Sequence, residues 1–122
     1  PEIKAEITLE EFSRIDLRVA TVTHAERIPK AKKILKLEVD LGQKRTIVAG
    51  IAQNYTPEEL IGRQIIIVAN LKPAKLMGVQ SQGMLLAAVG DDETTIATIE
   101  KNISELKKVA AELKKAKEKF LL

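Results

Sequence analysis

Six basic side chains fall within residues 30–49: Lys30, Lys32, Lys33, Lys36, Lys44 and Arg45, opposed there only by Glu38 and Asp40. Neutralising the phosphates of a nucleic acid needs a cluster of this kind, because each phosphate met by a lysine or arginine releases condensed counterions. The surroundings sharpen the field. Residues 1–29 carry four basic and six acidic side chains, residues 89–100 carry four acidic and no basic ones, and residues 101–122 hold seven lysines against three glutamates. A basic segment between acidic neighbours focuses potential on an anionic partner even though the net charge is only +3.

Other chemistries are excluded by what the chain lacks. It contains no cysteine, which removes disulfides, cysteine-based zinc sites and thiol catalysis. Its single histidine, His24, rules out a histidine-rich metal centre, and it reads as a surface residue at a strand end. Aromatic residues are confined to Phe12, Tyr55 and Phe120, so no multi-aromatic platform for stacked bases is available. Tyr55, beside a helix start, is expected to pack. No nucleophile with a base, paired carboxylates or ATP-binding signature of the HIGH or KMSKS type is present. The chain reads as a binding module without catalysis, metal or cofactor. No apolar run approaches the roughly 20 residues of a membrane span, and no signal peptide opens the chain, so a soluble cytoplasmic domain is expected. Pro1 stands first without methionine, as after initiator removal or excision from a longer protein.

The 122 residues suit one domain built on one aliphatic core. Residues 7–13 predict a turn of helix with Thr8 as N-cap and Glu11 completing a capping box. Residues 15–24 alternate, with Ile15, Leu17, Val19 and Thr21 on one side and Asp16, Arg18, Ala20 and Val22 on the other. Residues 34–41 alternate cleanly, placing Leu35, Leu37, Val39 and Leu41 inward. Gly42-Gln43 turns the chain into a strand at 44–50. A short helix follows at 54–60, with Thr56 as N-cap and Pro57 in the first helical position. The continuous apolar run 64–70 predicts a strand buried on both faces. Pro73, Gly78 and Gly83 punctuate 71–83. Strands at 84–88 and 94–100 enclose an acidic loop. Short strands interrupted by one small helix between the third and fourth describe an all-β OB-fold, a five-stranded barrel spanning 1–100.

The remainder, 101–122, predicts a C-terminal α-helix. Asn102 can cap it, Glu105 sits at the capping-box position, and Ile103, Leu106, Ala110, Leu113, Lys117 and Phe120 recur at 3-4 spacing. This stripe, broken once by Lys117, can pack on its own barrel or pair with another chain. It is the candidate dimerisation or docking element through Ile103, Leu106, Ala110, Leu113 and Phe120.

The segments DLRV (16–19), IVAG (47–50), NYTPEEL (54–60), VANLKP (68–73) and SQGMLLAA (81–88), in this order, resemble the tRNA-binding domain family. That module occurs free-standing or as the C-terminal domain or β subunit of methionyl-tRNA synthetases, and in a cytokine-like form in eukaryotic synthetase complexes. The resemblance runs through residues 7–100. It implies an OB-fold that binds the tRNA body by shape and backbone, with a homodimer in free-standing versions and a methionyl-tRNA synthetase catalytic subunit as a possible partner. Lys33, in PKAKK, matches the family's motif lysine and Arg45 its arginine. Ile28 and Lys32 replace the usual histidine and acidic residues, which raises the positive charge. The next cluster falls on Asn70, Lys72 and Lys75, then Ser81, Gln82 and Met84. An asparagine can serve a base edge or 2′-hydroxyl, lysines suit phosphates, Ser81 and Gln82 can hydrogen-bond RNA, and Met84 offers a polarizable contact. The alternative from a different class is a protein-secretion chaperone of the CsaA type, which shares the fold and binds unfolded polypeptide. The basic cluster suits phosphates better.

Overall fold

The computed structural model of the chain describes residues 2–90 and 94–99 together with Ala111; for Val89 only the backbone is described. The first element is the short helix α1 (Leu9–Ser13), preceded by the expected capping box: Thr8 Oγ1 accepts from the Glu11 amide, and the Glu11 carboxylate accepts from the Thr8 amide. Strands β1 (Leu17–Ile28), β2 (Ala31–Asp40) and β3 (Lys44–Ala49) form an antiparallel meander. Helix α2 (Pro57–Leu60), again with a capping box from Thr56 and Glu59 and with proline at its start, leads to β4 (Gln64–Val68), which pairs with β1. Helix α2 thus lies between the third and fourth strands, as an OB-like barrel requires.

The rest of the chain is more finely cut than its sequence pattern foretold. Residues 71–83 contain a hairpin of β5 (Ala74–Leu76) and β6 (Val79–Ser81). Its two-residue turn places Met77 at φ 50° and Gly78 at φ 78°, the paired positive angles of a type I′ turn whose twist matches that of the strands. The expected strand at 84–88 is two pieces, β7 (Met84–Leu85) on the edge of β4 and β8 (Ala87–Val89) paired with β9 (Thr94–Ile96). The expected strand at 94–100 breaks at Ala97, and β10 (Thr98–Ile99) joins β4 beyond β7. Breaking the strand lets Leu86 and Ala97 carry the ladder across the corner: Leu86 N–H donates to Ile66 O and Ala97 N–H to Leu86 O. The main sheet runs β10-β4-β1-β2-β3 with β7 against β4.

One aliphatic core fills the interior. Leu35, Leu37 and Val39 of β2, Ile47 of β3, Leu60 of α2, and Ile65 and Ile67 of β4 are fully buried, joined by Ala20 and Val22 of β1. The alternation in β2 therefore resolves as expected. In β1 the small side, Ala20 and Val22, points inward, and the bulkier Leu17 and Val19 face out, 42% and 46% exposed. Tyr55 packs against the core, and its hydroxyl accepts from the Ile96 amide at 3.1 Å, tying β9 to the turn before α2. Of residues 101–122 the structure describes Ala111, which is helical and exposed; Ile103, Leu106, Ala110, Leu113 and Phe120 lie outside the described residues.

Gly83 is where backbone meets backbone. Its φ is +138°, and a Cβ there would stand 2.9 Å from the carbonyl oxygen of Val68. Because the obstacle is main chain, no rotamer change relieves it. Gly83→Ala should lower stability by about 1–3 kcal/mol, read as a drop in denaturation midpoint with an unchanged m-value; an unaltered midpoint would show that β7 shifts freely from β4.

Candidate nucleic-acid interface

The expected basic cluster divides between the two ends of β2. Lys30 forms the two-residue turn with Pro29 between β1 and β2, in the left-handed region at φ 69°. Lys32 and Lys33 follow it, both exposed. Arg27, Lys30 and Lys32 border an open cleft of about 370 Å³ at this hairpin tip. Lys44 and Arg45 sit at the other end, opposite Asp40 and Val39, roughly 20 Å from Lys33 at ~3.4 Å per residue. They border a second cleft, of about 320 Å³, with Leu71, Pro73 and Gln82. Lys36 lies between, half-buried on the outer face, where its ammonium stands 3.6 Å from Glu26 directly across the β1–β2 pair. Glu26 also lies 3.6 Å from His24, a local partner for both that the lysine count alone did not show.

Four of the polar candidates are held by the fold itself. Ser81 is 5% exposed; its hydroxyl accepts from the Val48 amide at 3.0 Å and donates to the Gly83 carbonyl at 3.1 Å. Gln82 brackets Thr46: its amide N–H donates to Thr46 O at 2.8 Å, and its side-chain oxygen accepts from Thr46 N–H at 3.0 Å. Arg45 donates through Nη1 to the carbonyls of Ala69 at 2.6 Å and Gln82 at 3.3 Å. Asn70 accepts from the Asp16 amide at 2.8 Å and donates to the Arg14 carbonyl at 2.6 Å, pinning the passage from α1 into β1. Asp16 in turn grips Arg18 through both carboxylate oxygens, at 3.1 and 3.2 Å from Nε. This hydrogen bonding, followed by charge attraction, raises the Arg18 guanidinium pKa above its ordinary value.

The remaining candidates face water. Lys72 and Lys75 are exposed at the approach to and within β5, and Met84 is 50% exposed on β7. Lys30, Lys32, Lys33, Lys44, Lys72 and Lys75 form no ion pair with any described carboxylate. Lys44, a neighbour of the second cleft, belongs with them; it was visible in the sequence as part of the same charge run. The described residues contain no group of three or more histidine, aspartate or glutamate side chains placed to hold a metal, and no helix among them is long and apolar enough to cross a membrane.

A small all-β barrel of OB type with exposed lysines at both ends of one strand is the class of molecule the structure defines. Residues 17–108 match the family described as "Putative tRNA binding domain", and the chain belongs to that family. It is 54% identical over 105 residues to a methionine–tRNA ligase of Thermotoga maritima, a match covering 85% of this chain and 17% of that protein. The corresponding ligase of Methanococcus aeolicus is 56% identical over 98 residues, covering 80% of the chain and 14% of the enzyme. The chain thus spans less than a fifth of the length of these curated relatives. Among solved structures it resembles a MetRS-related protein of Pyrococcus horikoshii, with TM-score 0.76, 41% identity, and coverage of 82% of this chain and 94% of that one. It also resembles the chaperone CsaA of Bacillus anthracis, with TM-score 0.72, 33% identity, and coverage of 81% and 93%.

Two substitutions separate holding the barrel from touching a ligand. Ser81→Ala leaves the buried Val48 amide without its acceptor and should cost about 1–3 kcal/mol of stability, measured by chemical denaturation. Lys30→Gly should do the opposite, raising the melting temperature by relieving the left-handed turn, while weakening binding to RNA. A stability loss at Lys30→Gly would refute the strain assigned to that turn.

Proposed function

We propose that this domain binds tRNA through its sugar-phosphate backbone, in a structure-dependent and sequence-non-specific way. Lys30, Lys32, Lys33, Lys72 and Lys75 supply the phosphate contacts and Met84 an apolar one. Arg45, Asn70, Ser81 and Gln82 shape the surface that presents them, with Lys36 tempered by Glu26. The observation that carries this reading is the set of exposed lysines that meet no carboxylate among the described residues, on a chain of the tRNA-binding domain family. Lysine heads kept in water are ready to meet phosphate, whereas paired ones would first have to break an internal contact. Backbone contacts position a protein but carry little sequence information, so discrimination among tRNAs falls to another part of the machinery.

The high identity to methionine–tRNA ligases supports a role as a cytoplasmic accessory module that supplies tRNA affinity to a methionyl-tRNA synthetase, as an attached domain or a β subunit, with no catalysis of its own. A homodimer, as expected of free-standing members, would draw on the predicted C-terminal stripe of Ile103, Leu106, Ala110, Leu113 and Phe120 or on the exposed apolar side chains Leu17, Val19 and Met84. The likeness to CsaA favours one second reading, a chaperone for unfolded polypeptide, for which exposed Leu17, Val19 and Met84 would be the contact.

The deciding experiment titrates bulk tRNA and a duplex DNA of equal charge against salt. Five phosphate contacts give a log–log slope of roughly −3.5 to −4.5, and Lys33→Glu/Lys72→Glu/Lys75→Glu should abolish tight tRNA binding while leaving the fold intact by circular dichroism. Equal weak binding to both nucleic acids, together with binding of an unfolded polypeptide, would instead establish the chaperone reading.

A further inference from the structure

The hairpin of β5 and β6 stands off the barrel. Its strands pair with each other and with no third strand among the described residues, and every residue from Leu71 to Gly78 is exposed. Burial returns only toward the base, where Val79 is half-buried and Ser81 and Gln82 are bonded to β3. Two strands alone are marginally stable, so such a hairpin should have a turn that costs little. A type I′ turn needs positive φ at both central residues, which is why Asn-Gly or Asp-Gly serves it best. Here the first position is Met77, at φ 50°, whose Cβ is strained at that angle and whose side chain has no polar group to bond the turn. Packing does not offset the strain: Met77 is 54% exposed and its neighbour Leu76 44%. Strain held at an exposed tip points to a ligand.

The chemistry around the tip indicates which ligand. Between Glu59 and Asp91 the sequence has no acidic residue. Lys72 and Lys75 precede the two apolar residues, exposed and meeting no carboxylate among the described residues. Gln80, directly across the hairpin from Lys75, is exposed as well. Cations beside an apolar point suit a polyanion whose bases are accessible, because methionine and leucine side chains enter between bases while lysines hold the neighbouring phosphates. A continuous RNA helix keeps its bases stacked, whereas loops and bulges present them splayed. We propose that the tip of this hairpin, Leu76 and Met77, is an apolar wedge for an unpaired, unstacked nucleobase of RNA, with Lys72 and Lys75 on the adjoining phosphates. The assignment rests on the RNA-binding reading above and adds what phosphate contacts lack. The lysines attract any RNA, and the wedge makes the binding structure-dependent. It favours unpaired bases whatever their identity, since every base has a π-face, and the methionine sulfur is a polarizable partner for it.

Fluorescence anisotropy with bulk tRNA and with a blunt RNA duplex of equal charge, alongside chemical denaturation without RNA, tests the assignment on Met77→Asn. Asparagine removes the apolar tip yet suits the left-handed position, so the denaturation midpoint should not fall. Affinity for tRNA should drop roughly two- to tenfold, the range of a sulfur–ring contact, with duplex affinity and the salt slope of tRNA binding unchanged. Met77→Leu, which keeps an apolar side chain at the tip, should retain most of the preference for tRNA over duplex. An equal loss on both RNAs would overturn the wedge while leaving tRNA binding through the lysines in place. No loss on either would overturn it too, and if an unfolded polypeptide then bound more weakly, the tip would belong to a protein partner. A fall in midpoint would overturn it by showing that Met77 serves the fold. Failure of the wild type to bind either RNA would remove the tRNA reading and the wedge with it.

Discussion

Strand β3 pairs with β2 along one edge, and its other edge meets a segment that cannot complete an ordinary ladder. The amides of Thr46 and Val48 therefore need acceptors from side chains, since a buried unpaired N–H forfeits its hydration without return. Gln82 and Ser81 provide them. Gly83, with its carbonyl on Ser81 and its α-carbon close against Val68, brings that segment near enough. Arg45 then bridges from β3 to the carbonyls of Ala69 and Gln82. Everything at this end of the barrel, including the cleft beside Lys44 and Pro73, depends on this closure.

That dependence explains why the sequence segments most typical of the family have two roles at once. ANLKP and SQGM contain residues that hold main chain in place, Asn70 on Arg14 and Asp16 and Ser81 on Val48, and in DLRV Asp16 holds the Arg18 side chain. Lys72 within ANLKP and Lys75 just beyond it are left in water. A rigid, internally satisfied frame beneath mobile cationic heads suits a ligand read by its backbone, because lysine is a point charge on a flexible stem and tolerates small differences in phosphate position. Had Arg45 or Asn70 been free, the surface would have offered planar, directional donors better fitted to base edges. The folding of these groups onto the protein shifts the character of the site from reading to holding.

The outer face of β1 and β4 obeys the opposite rule. On β1 Leu17 and Val19 point away from the core while Ala20 and Val22 occupy the inside, and β4 keeps Ile65 and Ile67 within. A narrow barrel has room for only small residues where its long first strand curves through the centre of the sheet. The excess apolar surface is thereby displaced to the exterior.

How much of this was legible beforehand differs by the range of the interaction that decides it. The capping box of Thr8 and Glu11, the N-cap at Thr56, the inward set Leu35, Leu37 and Val39, and a helix between the third and fourth strands follow from neighbours within a few residues, and the sequence by itself determined them. The order of apolar and basic segments likewise pointed to an all-β barrel and to phosphate chemistry. The hairpin at 74–81 escaped notice because Met77-Gly78 is a weak turn signal beside Pro73 and Gly83. Which side of β1 faces inward, the separation of Lys33 from Arg45 along β2, the Lys36–Glu26 pair, and the internal engagement of Ser81, Gln82 and Asn70 belong to the tertiary structure alone. Period-2 alternation marks two faces without saying which is buried. A polar side chain's partner is likewise chosen across 33 or 54 residues of chain, as for Ser81 with Val48 and Asn70 with Asp16, a distance over which sequence spacing carries no geometry.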